Sequence, residues 1–458
     1  MAATVFAFGA IALSRAHQAN ADQPRDGRIP LPDIAGSRIP IDTTELTGFL
    51  AFTEGAMLAN GTRELFAELR VEGRDGSGAT RRRPVALAVV LDTSGSMYGD
   101  KIEQARRSVL ALAEQMHPED QLAVITYDTA ARVVQPLAPV GQVRETLRGR
   151  VAAIQSGGGT NIPAGLELGA LALSDAPPDL VHRLVLVSDG LDGSGRDLAQ
   201  LGAEIGQRAN AGTTTSSLGV GTDYDERWLT SVADSGRGNY AFLATGGELA
   251  GFLSRELEQA STTVADRTSL DLGLPSGWRV AEVYGGSWSG SGVPLGSIFA
   301  GERRRVTLRI EAVAGGVGEE PGVGVDLRYR GAREGTDRNL HLGRLSVSVV
   351  GDEAQVVASR DVALHAEAVA QRVDHAQAQA IEAWRQGRVE EATQLARDNR
   401  ERLQQWRAEA PEAAPMLDAR ITAVNDDLDN FDRPAHSAAG RAHGLRANAD
   451  RRSRSEAF

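Results

Sequence analysis

The sequence has no cysteine and a single lysine, Lys101, among its 458 residues. The lack of cysteine excludes disulfide bonds, zinc–thiolate sites, iron–sulfur clusters and a thiol nucleophile. Apart from histidine, the other basic side chains are arginine, and the formal net charge is −12. Because binding to nucleic-acid phosphates needs a basic surface, this charge disfavours a nucleic-acid partner. We therefore expect no nucleic-acid partner.

Long apolar runs are also missing, since no stretch has the roughly 18–20 uninterrupted apolar residues of a membrane helix. Residues 4–13 form a shorter apolar run, and Ala19-Asn20-Ala21 then suits signal peptidase, although no positive charge precedes the run. We expect residues 1–21 to be a signal peptide. The expected location is the periplasm or surface of a bacterium, with the cytoplasm as the alternative. The sequence leaves membrane association open.

Buried strands alternate with helices from residue 84 to residue 260. Residues 85–91 are continuously apolar, as a central parallel strand covered on both faces requires. Residues 122–127 and 184–188 repeat this pattern, and helical spacing separates the runs. The pattern predicts an α/β domain with a doubly wound, mostly parallel sheet. In such sheets the binding site lies at the carboxyl ends of the strands.

On either side of this domain, apolar and polar residues alternate with the two-residue period of half-buried antiparallel strands. Apolar and polar residues alternate in several segments of residues 261–358, which predicts an antiparallel β-sandwich. Leu65, Ala67, Leu69 and Val71 alternate in the same way within residues 41–83. We hypothesise that this earlier segment completes the sandwich, with the α/β domain inserted between its parts. Residues 22–40 are polar and contain proline, which indicates a linker.

The C-terminal region has helical spacing instead. Residues 361–431 are rich in alanine and are interrupted at Gly387, which predicts a helical hairpin region that caps the sandwich. Residues 383–392 resemble the turn of a tetratricopeptide-type hairpin, but arrays of that kind need about three repeats. The basic tail, residues 432–458, is short of large apolar residues, and we predict that it is disordered.

One motif follows the first buried strand directly, Asp92-Thr93-Ser94-Gly95-Ser96. Magnesium prefers oxygen ligands in a near-octahedral arrangement. Two hydroxyl groups that are two residues apart on a tight turn can face one ion, and the glycine between them lets the backbone bend. The carboxylate that ends the strand supplies charge, directly or through water. This pattern points to coordination of a hard cation.

Two further oxygen-bearing residues fall at the ends of other elements. Thr160 lies in the loop of residues 157–162, Gly-Gly-Gly-Thr-Asn-Ile, and Asp189 ends the strand of residues 184–188. The predicted sheet brings these ends together. In this order and spacing, the three segments resemble the metal-ion-dependent adhesion site of von Willebrand factor type A domains, which have a Rossmann-like fold.

The resemblance is strongest to a bacterial subgroup related to calcium-activated chloride channel regulators and inter-α-trypsin inhibitor heavy chains. Residues 219–226 and 233–238 also fit that subgroup. The resemblance covers residues 84–260 and keeps every expected metal ligand without substitution.

The resemblance implies that Asp92, Ser94, Ser96, Thr160 and Asp189 hold one divalent cation. Hydroxyl groups of the two serines would bind the ion directly, the threonine would join them when a ligand is engaged, and the aspartates would act mainly through water. Mg²⁺ is the expected ion, and Mn²⁺ or Ca²⁺ could replace it. An Asp or Glu carboxylate of a protein partner would then complete the coordination.

Other acidic residues near the motifs have simpler explanations. We expect Asp192 and Asp197 to be solvated loop residues. Asp223, Asp225 and Glu226 precede a predicted helix, where capping accounts for them. Asp128 ends the strand of residues 122–127; we expect it to stay apart from the metal site, with a contact to the residues that support the ligands as the alternative.

These observations predict a divalent-cation-dependent protein-binding protein, for adhesion or complex assembly, and not an enzyme. A phosphate-binding Gly-Lys-Ser/Thr element and paired metal-binding histidines are both missing from the sequence. Three alternatives stay open: a structural scaffold that binds partners through its C-terminal helices, a hydrolase in which the metal activates water, and a cytosolic accessory of a chaperone-like ATPase. The partner, the physiological metal, the oligomeric state and any conformational switching lie beyond the sequence.

Overall fold

A computed structural model describes residues 36–450, with gaps at residues 75–82, 222–224, 244–247 and 333–334 and at positions 436, 438, 442, 445, 448 and 449. The expected signal peptide, residues 1–21, lies outside the described residues. The described chain folds into an α/β part, a β-sandwich and a C-terminal helical part. Among the helices described, none is both long enough and apolar enough to cross a bilayer.

Four strands precede the α/β part in the described residues. They are β1 (Arg38–Asp42), β2 (Leu46–Phe52), β3 (Ala56–Leu58) and β4 (Gly61–Gly73). The predicted linker over residues 22–40 is wrong at its end, because β1 begins at Arg38 and pairs antiparallel with β2. The physical reason is that Ile39 and Ile41 lie on one face of this strand and are both buried.

The α/β part alternates strands with helices, as its sequence pattern predicts. Its strands are β5 (Val85–Asp92), β6 (Gln121–Tyr127), β7 (Ala131–Pro139), β8 (Val181–Ser188), β9 (Thr213–Val220) and β10 (Arg237–Leu243). Its helices are α1 (Asp100–Gln115), α2 (Val140–Ala152), α3 (Ile162–Ser174), α4 (Leu198–Asn210), α5 (Glu226–Gly236) and α6 (Leu249–Ser261). The crossover helices allow neighbouring strands to run parallel.

These strands form one six-stranded sheet in the order β10-β9-β8-β5-β6-β7. Only β7, at the edge, is antiparallel to its neighbour within this sheet. Leu87 and Val89 of the central strand pack with α1, α2 and α6, whereas Ala88 and Val90 pack with α3, α4 and α5. The doubly wound, mostly parallel α/β sheet is thus confirmed. Strand β7 is not apparent from the sequence, because its residues mix polar and apolar types at an exposed edge.

Seven described strands follow the α/β part and build most of the sandwich. They are β11 (Thr263–Gly273), β12 (Arg279–Tyr284), β13 (Gly292–Phe299), β14 (Arg303–Ala314), β15 (Gly322–Gly331), β16 (Asp337–Ser346) and β17 (Ser348–Val350). One sheet has the order β1-β2-β4-β14-β12, the other has the order β13-β11-β15-β16, and β3 pairs with β17. Since β4 lies between β2 and β14, strands from both sides of the α/β part share one sheet.

The C-terminal part is a packed group of helices. These are α7 (Glu353–Ala358), α8 (Val362–Arg385), α9 (Val389–Glu409) and α10 (Ala414–Phe431). Helix α7 falls inside the range predicted for the sandwich. Helices α8 and α9 form the hairpin predicted at Gly387, whose φ of 79° suits glycine. Alanines keep the helices close together, and Trp384 and Leu403 fill their core.

The predicted disorder of residues 432–458 is wrong for much of the tail up to residue 450. The Trp384 indole N–H donates to the carbonyl of Phe431 at 3.1 Å and to that of Arg433 at 3.2 Å. His443 lies 3.0 Å from an Asp427 carboxylate oxygen. A few polar contacts and small alanines therefore suffice to order part of a segment that has few large apolar residues. Residues 451–458 lie outside the described residues.

Ion pairs join the three parts of the chain. Arg385 at the end of α8 contacts the buried Glu226 at the start of α5, at 2.5 Å. Arg305 of β14 contacts Glu367 of α8 at 3.1 Å. Their side chains are largely buried, so these pairs fix orientation more than they add stability. The α/β part is thus held on a support of strands and helices.

Glu68 lies at the same junction, on the face of β4 that α8 covers. Its side chain is fully buried, and Arg70 Nε donates to it at 2.5 Å. Burial raises the pKa of Glu68 to about 7, although the neighbouring Arg70 opposes this shift. The alternating pattern of β4 suggests a half-solvated strand, but the helix makes both faces interior.

The pKa of Glu68 leads to a prediction for pH dependence. Since its pKa is raised from 4.5 to about 7, the folded protein keeps a proton that the unfolded chain releases between these values. The stabilising contribution of this group is therefore full below pH 4.5 and is lost as pH rises through about 7. Glu68→Gln stays neutral and should remove that loss. Thermal unfolding of both proteins across this range should show the variant gaining relative stability as pH rises; a constant difference would contradict the assignment.

Candidate metal centre

The three segments singled out in the sequence meet at one edge of the α/β sheet. Asp92 is the last residue of β5, and Asp189 directly follows β8. These two strands are parallel neighbours, so their carboxyl ends lie side by side. Thr160 precedes Asn161, whose side chain accepts the Ala164 N–H at 3.1 Å and caps α3. The loop with Thr160 is therefore anchored by the start of a helix.

The side-chain hydroxyls of Ser94, Ser96 and Thr160 surround the space in front of Gly190. A β-carbon added to Gly190 would lie 3.3 Å from Thr160 Oγ1, 3.5 Å from Ser96 Oγ and 3.9 Å from Ser94 Oγ. The two serine oxygens are 3.1 Å apart. Three neutral oxygen donors thus converge on one small space, as the ligands of a hard cation do.

The Asp92 carboxylate is fully buried and organises this turn. One of its oxygens accepts the backbone N–H of Ser94 at 2.8 Å, and the other accepts the Ser188 hydroxyl at 2.8 Å. Burial raises the pKa of Asp92, hydrogen bonds from Ser94 and Ser188 oppose this, and the nearby Asp189 raises it further. Both oxygens therefore have donors, and Asp92 serves to position Ser94 while adding negative charge beneath the hydroxyls.

The Asp189 carboxylate is likewise buried but faces the hydroxyls directly. Its Oδ1 accepts the Ser96 hydroxyl at 2.8 Å, and its Oδ2 contacts the ammonium of Lys101. Because Ser96 donates a hydrogen bond to Asp189, its oxygen keeps a lone pair for a cation even if it accepts a hydrogen bond from Ser94. Hydroxyl and carboxylate oxygens without nitrogen or sulfur suit Mg²⁺, Mn²⁺ or Ca²⁺. The residues present thus fit a hard divalent ion.

The glycine loop before Thr160 is held on the Asp92–Ser96 turn by backbone hydrogen bonds. Gly157 N–H donates to the carbonyl of Thr93 at 2.7 Å, and Gly95 N–H donates to that of Gly158 at 3.2 Å. Gly158 has a φ of 83°, and a β-carbon there would lie 3.2 Å from the Asp128 β-carbon. Glycine is required at that position by conformation and by space.

Asp192 has a structural role that the sequence reasoning missed. It accepts the N–H of Ile162 at 3.0 Å, and the neighbouring Gly193 N–H donates to the carbonyl of Thr160 at 2.8 Å. The loop after β8 is therefore tied to the start of α3. Asp197 accepts an N–H of α4 at 2.8 Å. The expectation of a solvated loop acid is wrong for Asp192, which is half-buried, whereas Asp197 is exposed and in addition caps α4. The position of Asp197 just before a helix is the signal that could have found its capping role.

The remaining acids stay outside the group of hydroxyls. Asp128 accepts the Ala130 N–H at 3.0 Å and pairs with Arg132 at 2.6 Å, which orders its own turn. Asp225 caps α5, as expected. Asp223 lies outside the described residues. Among those described, no three or more His, Cys, Asp or Glu side chains cluster as a metal site, so the candidate centre depends on hydroxyl ligands.

Sequence comparison agrees with this arrangement. Residues 87–191, which run from β5 past Asp189, match the family model described as von Willebrand factor type A domain. The chain contains a von Willebrand factor type A domain. Such a domain commonly mediates protein–protein interaction.

Curated relatives match this chain in the region of its von Willebrand factor type A (VWA) domain. Uncharacterized protein YfbK of Escherichia coli is 28% identical over 199 residues, which are 42% of this chain and 34% of YfbK. Inter-alpha-trypsin inhibitor heavy chain H2 of Mesocricetus auratus is 30% identical over 165 residues, 34% of this chain and 17% of that protein. The chain thus spans about a third or less of the length of these relatives. The expected relation to the inhibitor heavy chains is confirmed, and that to the chloride channel regulators stays a prediction.

Solved structures share more than the VWA domain. A von Willebrand factor type A protein from Catenulispora acidiphila superposes with a TM-score of 0.68 at 19% identity, covering 90% of this chain and 98% of that one. The ArnB paralog VWA2 from Sulfolobus acidocaldarius gives a TM-score of 0.64 at 15% identity, covering 90% and 99%. At these identities the likeness shows the fold alone, but it extends well beyond the VWA domain.

The space in front of Gly190 leads to a direct prediction about metal binding. The φ of this residue lies outside the left-handed region, so alanine fits the backbone, yet its methyl group would occupy the space that the hydroxyls surround. We expect Gly190→Ala to weaken Mg²⁺ binding about tenfold or more, which corresponds to about 1.4 kcal/mol. Isothermal titration calorimetry with Mg²⁺ measures this.

Gly157→Ala is the matched control for that variant. Gly157 lies in the glycine loop, and a β-carbon there would meet no atom within 4 Å. The Mg²⁺ affinity of Gly157→Ala should equal that of the unaltered protein. Equal affinities for both variants would mean that the ion does not bind among these hydroxyls.

Proposed function

We propose that the protein binds a protein partner through a divalent cation held by Asp92, Ser94, Ser96, Thr160 and Asp189. The observation that carries this proposal is the convergence of three hydroxyl oxygens in front of Gly190, above two buried carboxylates. Such an arrangement has no role in the hydrophobic core, and it lies where doubly wound sheets bind ligands.

The metal would act as a Lewis acid that attracts an anionic group of the partner. The hydroxyls of Ser94, Ser96 and Thr160 are neutral donors, and the hydrogen bonds of Asp92 leave both its oxygens already engaged. The ion would therefore keep much of its positive charge and accept one more oxygen ligand. A carboxylate of Asp or Glu on the partner supplies such an oxygen. Mg²⁺ is the proposed ion, and Mn²⁺ or Ca²⁺ could replace it.

Two exposed apolar side chains beside the centre support a protein as the partner. Tyr98 is 83% exposed and follows the buried Met97, which fixes the Ser96 turn to the core. Leu191 is 62% exposed and follows Gly190. Large apolar and aromatic side chains of this kind form the energetic centre of protein interfaces. A partner with a carboxylate flanked by apolar residues would satisfy both the ion and this rim.

We further propose that the protein is not an enzyme and is exported. The described hydrogen bonds of the Ser94 and Ser96 hydroxyls involve each other and Asp189, so no histidine base is aimed at either oxygen. Export to the periplasm or cell surface depends on residues 1–21. The scaffold alternative would bind partners through the helices of residues 361–431, and the ATPase-accessory alternative would keep the chain in the cytoplasm.

Selection of displayed random peptides on the immobilised protein tests the proposed function. In Mg²⁺ the recovered peptides should be enriched in Asp or Glu next to apolar residues, and EDTA should release them. Ser96→Ala should lose these peptides, since it removes an oxygen ligand. Tyr98→Ser should keep the metal but bind them more weakly, by about 1–2 kcal/mol for a lost aromatic contact.

Ser261→Ala is the control for that selection, because Ser261 ends α6 and its described hydroxyl bond goes to a carbonyl of its own helix, that of Glu258, at 2.8 Å. This variant should bind the same peptides as the unaltered protein. Peptides that bind equally in EDTA and to Ser96→Ala would contradict the proposal and favour the scaffold alternative.

A further inference from the structure

Lys101 lies at the candidate metal centre, although it is not among the proposed ligands. Its ammonium contacts Oδ2 of the buried Asp189, and its side chain is 32% exposed. It is the one lysine in the whole sequence. The side chain therefore reaches from a partly solvated position to the carboxylate that also accepts the Ser96 hydroxyl.

The helix dipole opposes a cation at the position of Lys101. This lysine is the second residue of α1, where the helix dipole is positive, and Asp100 and Glu103 in the same turn offset only part of this effect. The positive end of the helix dipole repels a cation placed there. Gly221 lies alongside, and a β-carbon there would be 3.6 Å from Lys101 Nζ. The local structure thus makes room for an ammonium that the helix disfavours.

The two cations would share one anion. An ion held by the hydroxyls of Ser94, Ser96 and Thr160 would lie beside Asp189, because Ser96 Oγ is 2.8 Å from Asp189 Oδ1. The ammonium of Lys101 is already at the other oxygen of the same carboxylate. Two positive charges this close repel each other strongly in a partly buried site, whereas each is attracted to Asp189. Binding of the ion therefore works against the Lys101–Asp189 contact.

Building on the proposed metal function, we infer that Lys101 is a tethered cation that competes with the divalent ion for Asp189. When the ion binds, the ammonium leaves the carboxylate and becomes more exposed to solvent. The lysine then lowers the affinity for the metal, and it keeps the buried Asp189 paired when metal is scarce. Lys101 is a positioning and affinity-setting residue in this account, not a metal ligand.

The single lysine allows a direct test, because the only other reactive amine is the chain terminus. The full-length protein is treated with an N-hydroxysuccinimide acetate in EDTA or in saturating Mg²⁺, and mass spectrometry follows acetylation of the peptide that contains Lys101. We expect the rate to rise severalfold in Mg²⁺. Asp189→Asn removes the anion, so its Lys101 should react rapidly and independently of Mg²⁺. An unchanged or slower rate in Mg²⁺ would overturn the competition.

Substitution of the lysine gives a second, independent readout. Lys101→Gln should lower the thermal stability in EDTA, since Asp189 loses its partner, and should lower the Kd for Mg²⁺ by about tenfold. Lys101→Arg keeps the charge and should restore both values toward those of the unaltered protein. A residue that only supports the fold would instead weaken metal binding when removed, and that result would contradict the inference.

Failure of this inference can be separated from failure of the proposed function. If calorimetry shows that Mg²⁺ binds while acetylation and the Lys101→Gln affinity are unchanged, the metal centre stands and the competition is wrong. If Mg²⁺ binds neither to the unaltered protein nor to Lys101→Gln, both proposals are wrong.

Discussion

The burial of two carboxylates at the ends of neighbouring strands is the constraint on which the candidate site depends. Parallel pairing of β5 with β8 brings Asp92 and Asp189 to the same edge of the sheet. Each is a charge removed from water, and such charges must be paired or hydrogen-bonded. Ser188 and the Ser94 backbone satisfy Asp92, while Ser96 and Lys101 satisfy Asp189. The same donors that stabilise the carboxylates therefore position the hydroxyls above them.

The rest of the molecule holds this edge rigid. The loops that carry Thr160 and Asp189 are fixed to each other through Gly193 and to helix α3 through Asp192. The sheet beneath them is covered by helices on both faces, and the α/β part is joined to the sandwich and helices through buried ion pairs. A site whose ligands come from separate loops gains precision when each loop is anchored in this way.

Sequence reasoning found the elements whose signal is local. The continuous apolar run of β5 predicts a central strand, and the Asp-x-Ser-x-Ser motif at its end predicts where oxygen donors lie. The predictions from sequence fail for features that depend on tertiary contacts. Strand β7 lacks a clear period, β1 has only five residues to show one, and Glu68 becomes interior only because α8 covers it. The ordered tail near His443 depends on Trp384, far away in the sequence. Likewise, the contact of Lys101 with Asp189 joins residues that no pattern connects.

A crystal of the protein grown with Mn²⁺ would show whether the hydroxyls bind a cation, because anomalous scattering locates that ion without assumptions about its ligands. We expect one strong anomalous peak in front of Gly190, within coordination distance of the Ser94 and Ser96 hydroxyls, and its loss in a crystal of Ser96→Ala. A peak elsewhere, or no peak here at saturating Mn²⁺, would show that these converging oxygens do not form a metal centre.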